Sequence, residues 1–257
     1  MRIAVISFLC MVLAACASTD MGPNQKKVAE GYYDKGLSYV QTNDMANAMA
    51  ELHRSIQTDP NNKQSHYMLG LIYFRQGKLQ DAEQYLKEAI SIDDRYSDAY
   101  NALGVVYSTQ KKWKEALRAY NKALENKLYA TPHVTYLNIG DMYMAQQEYA
   151  KAADAYRDSK RIATTDVAIL RLGDALSKAG RPREAVVEFQ EGVKLAPQNP
   201  DMHFALGQAY LKDGDKRSAL SEFHKVVEMA PQSDSARNAK DYIATIEKNP
   251  LQQNKKK

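Results

Sequence analysis

Histidine is the side chain best suited to binding a metal or moving a proton near neutral pH, so the five histidines are the first candidates for chemistry. They are His53, His66, His133, His203 and His224. No two of them have the spacing of paired metal ligands, and four occupy two equivalent positions of the internal repeat described below. The chain also contains no glycine-rich phosphate loop, no nucleophile elbow and no carboxylate pair outside the repeat pattern. The sequence therefore predicts no catalytic residues, no metal site, no cofactor and no small-molecule substrate, and indicates that the protein is not an enzyme.

A cysteine near the N-terminus is the one residue whose surroundings indicate a covalent modification. The apolar run Ile3–Leu13 is too short to cross a bilayer, which needs about 20 residues, and it has the length of a signal-peptide core. It ends in Leu13-Ala14-Ala15-Cys16. This order resembles the lipobox of bacterial lipoproteins, which implies that a signal peptide, residues 1–15, is removed and that Cys16 carries acyl chains such as palmitate. The alternative is an ordinary export signal with an Ala-x-Ala-like cleavage site and an unmodified cysteine.

The residue after Cys16 bears on the membrane to which the protein is sorted. It is Ala17 rather than an aspartate, and similarity to sorted lipoproteins implies a protein lipid-anchored in the outer membrane and facing the periplasm. Cys10 lies within the signal peptide, so a single mature chain would contain no disulfide. Residues 16–28 are predicted to be the lipidated cysteine and a flexible tether, because they are small and polar and include Gly22-Pro23.

The charge pattern argues against nucleic-acid binding. The formal net charge is only +4, although 26% of the residues are charged. Lysine and arginine alternate with aspartate and glutamate along most segments, as on solvated helix faces, and no DNA- or RNA-binding motif is present.

The rest of the chain is an internal repeat. Glycine recurs every 33–36 residues, an alanine follows each of these glycines twelve residues later, and a large apolar residue follows four residues after that. In the third unit these residues are Gly104, Ala116 and Tyr120. Each unit contains two apolar runs at helical spacing, and one such helix pair cannot bury its apolar side alone, so stacked neighbours must supply the core. The small residues would let two helices approach closely, and the large residues would fill the space between them.

This pattern resembles the tetratricopeptide repeat. The resemblance implies an all-α fold, a right-handed superhelical solenoid of six tetratricopeptide helix pairs plus a C-terminal capping helix. The repeats span residues 29–233, in units of 29–62, 63–96, 97–132, 133–165, 166–199 and 200–233. Residues 234–248 are predicted to be the capping helix and residues 249–257 a disordered tail.

In tetratricopeptide proteins the first helix of each unit lines a concave groove, so the resemblance also implies which residues face a partner. The inward positions lie three residues before and one, four and five residues after each repeat glycine. The partner-binding groove predicted in this way contains Tyr33, Leu37, Val40, Tyr67, Leu71, Phe74, Arg75, Asn101, Val105, Leu137, Asp141 and Met144. Its N-terminal half is apolar and aromatic, which indicates a site for a peptide or an amphipathic helix. Alternatively, these side chains pack against the preceding linker or a neighbouring repeat.

One stretch departs from the regular period. The segment ENKLYATPHVTYLNIG, residues Glu125–Gly140, contains two extra residues, and Thr131 and Pro132 are predicted to be the N-cap and the first residue of the next helix. The lipobox, the six units and this stretch together resemble the type IV pilus biogenesis lipoproteins of the PilF/PilW type. The residues that fit the pattern of that family are Leu128, Tyr129, Pro132, Tyr136, Asn138 and Gly140. The resemblance implies a pilotin, which binds secretin subunits and helps them to reach the outer membrane and multimerise.

Two other functions are compatible with the sequence. One is a general periplasmic tetratricopeptide scaffold for envelope or exopolysaccharide export machinery. The other is an adaptor for cell-wall hydrolases or proteases. All three hypotheses share a protein partner, either a secretin subunit or another envelope-assembly protein, and contact with a membrane through the lipid anchor.

Overall fold

The computed structural model describes residues 22–248 of the chain. Within that range the chain forms thirteen α-helices and no β-strand. The predicted signal peptide (1–15), Cys16 with the residues that follow it up to 21, and the predicted tail (249–257) lie outside the described residues. Between residues 22 and 248, no helix combines the length and the apolar character needed to span a membrane.

The helices follow one another with short turns between them. Their bounds are α1 Pro23–Gln41, α2 Met45–Thr58, α3 Lys63–Arg75, α4 Leu79–Ile92, α5 Ser97–Thr109, α6 Trp113–Glu125, α7 Pro132–Ala145, α8 Tyr149–Ile162, α9 Asp166–Lys178, α10 Pro182–Leu195, α11 Pro200–Asp213, α12 Lys216–Met229 and α13 Asp234–Lys248.

Consecutive helices pack into six pairs, from α1 with α2 to α11 with α12. Each pair contacts the next through its second helix, and α13 packs against α12 and α11 at the end of the array. The ring of Tyr242 on α13 stacks on Phe223 with 5.0 Å between ring centroids, so the last helix covers the apolar side of the sixth pair. The predicted fold of six helix pairs and a C-terminal helix is therefore confirmed.

The second helices show why these segments are helical. In α6 the buried residues Ala116, Ala119, Tyr120 and Ala123 recur at helical spacing and form one side of the helix. The residues between them, such as Lys114, are exposed. A stripe of this kind stabilises a helix only when another element covers it, and here the first helices of the same unit and of the next do so.

The repeat glycines allow the two helices of each pair to approach closely. A Cβ atom built on Gly104 would lie 2.4 Å from Tyr120 Cε1, and one on Gly140 would lie 2.3 Å from Tyr156 Cε1. Carbon atoms in contact are normally about 3.5–4.0 Å apart, so no side chain larger than hydrogen fits at these positions. The expected close approach at the small residues is thus present in the structure.

Two local predictions need correction. Helix α1 begins at Pro23, so residues 23–28 are helical and do not belong to a flexible tether. Pro132 is the first residue of α7, as predicted, and Thr131 holds the N-cap position, but the Thr131 side chain makes no capping hydrogen bond.

We expect the substitution Gly104→Ala to destabilise the protein by about 1–3 kcal/mol, because the added methyl group would overlap the buried ring of Tyr120. Gly31→Ala is a matched control within α1, since nothing lies within 4 Å of the Cβ position there. In that exposed helical site alanine should stabilise by about 0.5–1 kcal/mol. Urea unfolding followed by circular dichroism measures both changes, and a Gly104 variant as stable as the control would contradict the proposed close contact.

Candidate partner-binding groove

The residues predicted to face a partner lie on α1, α3, α5 and α7, the first helices of the first four units. We call the surface that these residues form the groove. Arg75 is exposed and the other eleven side chains are partly buried. Each therefore packs on the fold and still offers surface to a partner. Because α3 lies beside α5 and α5 beside α7, the groove residues of these three helices adjoin one another.

The apolar half of the groove centres on α3. Tyr67, Leu71 and Phe74 pack against the core cluster that contains Leu86 and Leu103. One part of each side chain therefore packs within the repeat array, as the alternative interpretation expects. The other part stays exposed and is available to a partner. Other apolar groove residues that pack on core clusters in the same way are Tyr33, Val40, Val105, Leu137 and Met144.

Tyr67 belongs to a group of tyrosines in this half of the groove. The centroids of the Tyr67 and Tyr96 rings are 5.2 Å apart, and Lys63 Nζ lies 5.3 Å from the centroid of Tyr96. Burial raises the pKa of Tyr67 to about 12, and burial also raises the pKa values of Tyr96 and Tyr33. These hydroxyls therefore stay neutral at physiological pH and supply hydrogen-bonding groups within an apolar surface.

The sequence prediction of the groove missed Tyr96. All positions used in that prediction lie within the first helix of a unit, whereas Tyr96 precedes α5. It occupies the N-cap position of α5, where it makes no side-chain capping bond. In three other units the equivalent residues, Asn62, Thr165 and Asn199, do cap the helix with their side chains. A tyrosine at a position that otherwise carries capping residues was the signal that could have identified it.

Asp141, in the C-terminal half of the groove, makes its side-chain contacts within the protein. Its carboxylate accepts a hydrogen bond of 2.6 Å from the Tyr156 hydroxyl and forms an ion pair with Arg171. Tyr156 packs over Gly140 in the fourth unit, whereas Arg171 is on α9 in the fifth, so one carboxylate links two units. Burial, together with the hydrogen bond to the negatively charged Asp141, raises the pKa of Tyr156.

Asn101 makes a comparable link between the third and fourth units. Its side-chain oxygen accepts a hydrogen bond of 3.0 Å from the Asn138 amide. The sequence placed Asn101 and Asp141 among the groups facing a partner, but the structure uses their polar atoms to join neighbouring repeats. A partner that used the same atoms would have to break these bonds first.

The accessible surface of the first helices continues beyond the fourth unit. A cleft of about 340 Å³ is lined by residues of α9, α10 and α11, including the apolar Leu170, Phe189 and Ala205 and the polar Ser177 and Gln208. A bound segment could therefore extend along the last two units as well.

The histidines at equivalent repeat positions have structural contacts. His66 Nε2 lies 2.9 Å from the carbonyl oxygen of Pro60, and His203 Nε2 lies 3.0 Å from that of Pro197. Each histidine thereby ties the start of a helix to the turn before it. Among residues 22–248 no group of three or more His, Cys, Asp or Glu side chains is arranged to hold a metal ion.

Comparison with protein families identifies the repeat. One sequence model of the tetratricopeptide repeat matches residues 64–128, and a second matches residues 101–167 and 170–234, which is more than half of the chain. A model for subunit 3 of the anaphase-promoting complex, or cyclosome, matches residues 23–89. No curated protein sequence matches the chain.

Several solved structures share the fold. PilF of Pseudomonas aeruginosa is 19% identical, with a TM-score of 0.70 over 85% of this chain and 99% of that chain. PilW, described as a widely conserved type IV pilus biogenesis factor, is 19% identical, with a TM-score of 0.71 over 82% of this chain and 98% of that one. YrrB, described as a TPR protein with an unusual peptide-binding site, is 19% identical, with a TM-score of 0.58 over 74% and 97%. The resemblance to the PilF/PilW type is thus confirmed at the level of the fold.

We expect Tyr156→Phe to cost about 1–2 kcal/mol of stability, because it removes a hydrogen bond to a carboxylate. The ring itself fits, since Phe189 and Phe223 pack over the repeat glycines of the next two units. In a double-mutant cycle measured by urea unfolding, the same change in an Asp141→Ala background should have little effect. Additive losses from the two substitutions would contradict a direct contact between these side chains.

Proposed function

The chain belongs to the tetratricopeptide-repeat family, and we propose that it is an outer-membrane lipoprotein whose groove binds a segment of a protein partner. The partner that we propose is a secretin subunit, which would make the protein a pilotin-like factor for assembly of the type IV pilus secretin.

The observation that carries the groove proposal is the apolar stripe on α3. Tyr67 and Phe74 are seven residues apart with Leu71 between them, so the stripe is about 10 Å long, or two helical turns. All three side chains are anchored in the core and partly exposed, so little conformational entropy is lost when a partner covers them. An amphipathic helix presents apolar anchors over a comparable length, which makes it the best fitting ligand. YrrB, which shares the fold, is described as having an unusual peptide-binding site, and this supports peptide binding by such a repeat array.

Three observations support the link to pilus assembly. The chain aligns with 99% of PilF and 98% of PilW, so the likeness covers nearly the whole of each structure. PilW is described as a type IV pilus biogenesis factor. In addition, the longer connection before α7 carries the Leu128, Tyr129 and Pro132 pattern that resembles this family.

The proposed anchor would hold the repeats close to the membrane. Because α1 begins at Pro23, seven peptide units separate Cys16 from the first helical residue. Even fully extended, they would reach only about 25 Å. A partner segment at the first units would therefore be captured near the membrane surface, where a secretin has to insert.

The groove proposal predicts that Tyr67→Ala combined with Phe74→Ala reduces recovery of the secretin from detergent-solubilised envelopes. The physical reason is the loss of the two aromatic anchors at the ends of the α3 stripe. A matched control is Val187→Ala combined with Leu195→Ala, which shortens two side chains that are each 61% exposed on α10, away from the groove. Secretin in the eluate is quantified by immunoblot, and circular dichroism melts show whether each variant is folded.

The outcomes of that experiment separate two parts of the proposal. Equal recovery of secretin by the wild type and the folded groove variant would mean that the groove is not the binding surface. Absence of secretin from both eluates would mean that the partner is a different protein, as in the scaffold and adaptor hypotheses.

The lipid-anchor proposal predicts that Cys16→Ala abolishes acylation and releases the protein from the membrane fraction, because the thiol that would carry the lipid is missing. Metabolic labelling with a palmitate analogue and fractionation of the envelope measure the two effects. A variant that remains in the outer-membrane fraction and still incorporates the label would show that the anchor lies elsewhere.

A further inference from the structure

The longer connection between α6 and α7 displays an isolated leucine. Leu128 is 91% exposed, whereas the next most exposed large apolar residues of the described chain, Val187 and Leu195, are each 61% exposed. A single apolar side chain on a surface needs no explanation by itself. Leu128 differs from the others because the surrounding loop holds it in place and because it stands beside a cleft.

Hydrogen bonds fix the loop on both sides of Leu128. The Asn126 side-chain oxygen accepts a bond of 3.0 Å from the Leu128 amide, and the Asn126 side-chain amide donates a bond of 3.2 Å to the Arg95 carbonyl oxygen in the preceding connection. Beyond the leucine, the Tyr129 hydroxyl accepts a bond of 3.2 Å from Thr135 on α7. The loop is thus tied to the structure before and after it, so Leu128 projects without the entropic cost of ordering a mobile loop on binding.

The cleft beside Leu128 has a volume of about 530 Å³, which is ample for a leucine side chain. Leu128 itself forms part of its lining, and the partly buried Tyr100 offers an aromatic surface within it. Arg95 and Lys122, whose side chains carry long aliphatic stems, also line it. The projecting leucine and an open cleft with room for a leucine therefore belong to one surface, which we call the knob-and-cleft patch.

The charges of the knob-and-cleft patch have both signs. Arg95, Lys122 and Lys127 are positive, and Asp94 and Glu125 are negative. Within one molecule Lys122 and Glu125 form an exposed ion pair of 2.8 Å. A patch of a single sign would repel its own copy, whereas a mixed patch can place lysine opposite glutamate when two copies meet across a two-fold axis.

We propose that the knob-and-cleft patch binds a second copy of this chain. A two-fold dimer brings the same surface of each molecule together, so a residue that protrudes must lie beside the recess that receives its counterpart. Leu128 of each copy enters the cleft of the other, against Tyr100, and the mixed charges around it pair across the interface. This association goes beyond the groove and does not depend on the identity of the groove's partner.

The small area of the knob-and-cleft patch limits the affinity of the proposed dimer. Stable interfaces bury about 800 Å² on each partner, and a single loop with its adjoining cleft provides less than that. We therefore expect a dissociation constant in the range of about 10 μM to 1 mM, typical of a weak, reversible interface.

Sedimentation velocity of the purified protein between about 1 μM and 1 mM tests the proposal over the range expected for a small interface. The weight-average mass should rise with concentration for the wild type. Leu128→Asp should raise the dissociation constant at least about tenfold, because a charged side chain cannot replace a buried leucine. Leu195→Asp is the matched control, since it changes an exposed leucine outside the patch, and it should associate like the wild type. Circular dichroism melts establish that both variants are folded.

A mixing experiment tests the reciprocal geometry. Tyr100→Ala and Leu128→Asp should each impair self-association, but an equimolar mixture should recover part of it. In the mixed dimer one contact pairs the native Leu128 of one copy with the native Tyr100 of the other, and the two substituted residues meet at the second contact. A wild type that remains monomeric throughout, an unaltered dissociation constant for Leu128→Asp, or a mixture no better than either variant alone would each overturn the proposal.

Discussion

The array depends on the contact between a glycine backbone on the first helix of each unit and a large side chain on the second. Leucine fills this place in the first two units, at Leu52 and Leu86, and an aromatic ring fills it in the other four. The contact sets the separation of the paired helices, because neither backbone nor side chain can yield without losing close packing. Since this contact uses only the sides of the helices that face each other within a pair, the sides of the first helices that form the groove are free to vary. Tyr67, Asn101 and Leu137 occupy the same groove position in successive units and have different chemistry.

The sequence could predict most of the fold, because the period of the repeat reports this contact directly. α13 spans Asp234–Lys248, as expected, since its apolar residues have helical spacing and Pro250 follows shortly afterwards. The start of α1 could not be predicted in the same way. Residues 23–28 contain only Val28 as a large apolar side chain, so they lack the periodic pattern. They are nevertheless helical, because Pro23 suits a first helical position and extending an existing helix costs little.

The sequence could predict which residues lie along the groove, but not the hydrogen bonds and ion pairs that their side chains form. The repeat places Asp141 on the side of α7 that faces the groove, yet its link to Arg171 spans 30 residues and depends on how two units are oriented. Residue spacing within a unit carries no information about that angle. The same holds for the Asn101–Asn138 bond. These two links join neighbouring units through the C-terminal half of the groove, whereas Tyr67, Leu71 and Phe74 in the N-terminal half remain partly exposed.

The longer connection before α7 shows how the array accommodates an irregularity. Among successive helices of the described chain, α6 and α7 have the least extensive contact. The core nevertheless crosses the junction, because Tyr120 of the third unit and Met142 of the fourth belong to one buried cluster. The two extra residues therefore leave the stacking of the units intact and alter only the edge of the solenoid, where they expose Leu128. An insertion placed there can add a new surface without disturbing the groove, since the close approach of Gly140 and Tyr156 that positions α7 is the same as in the other units.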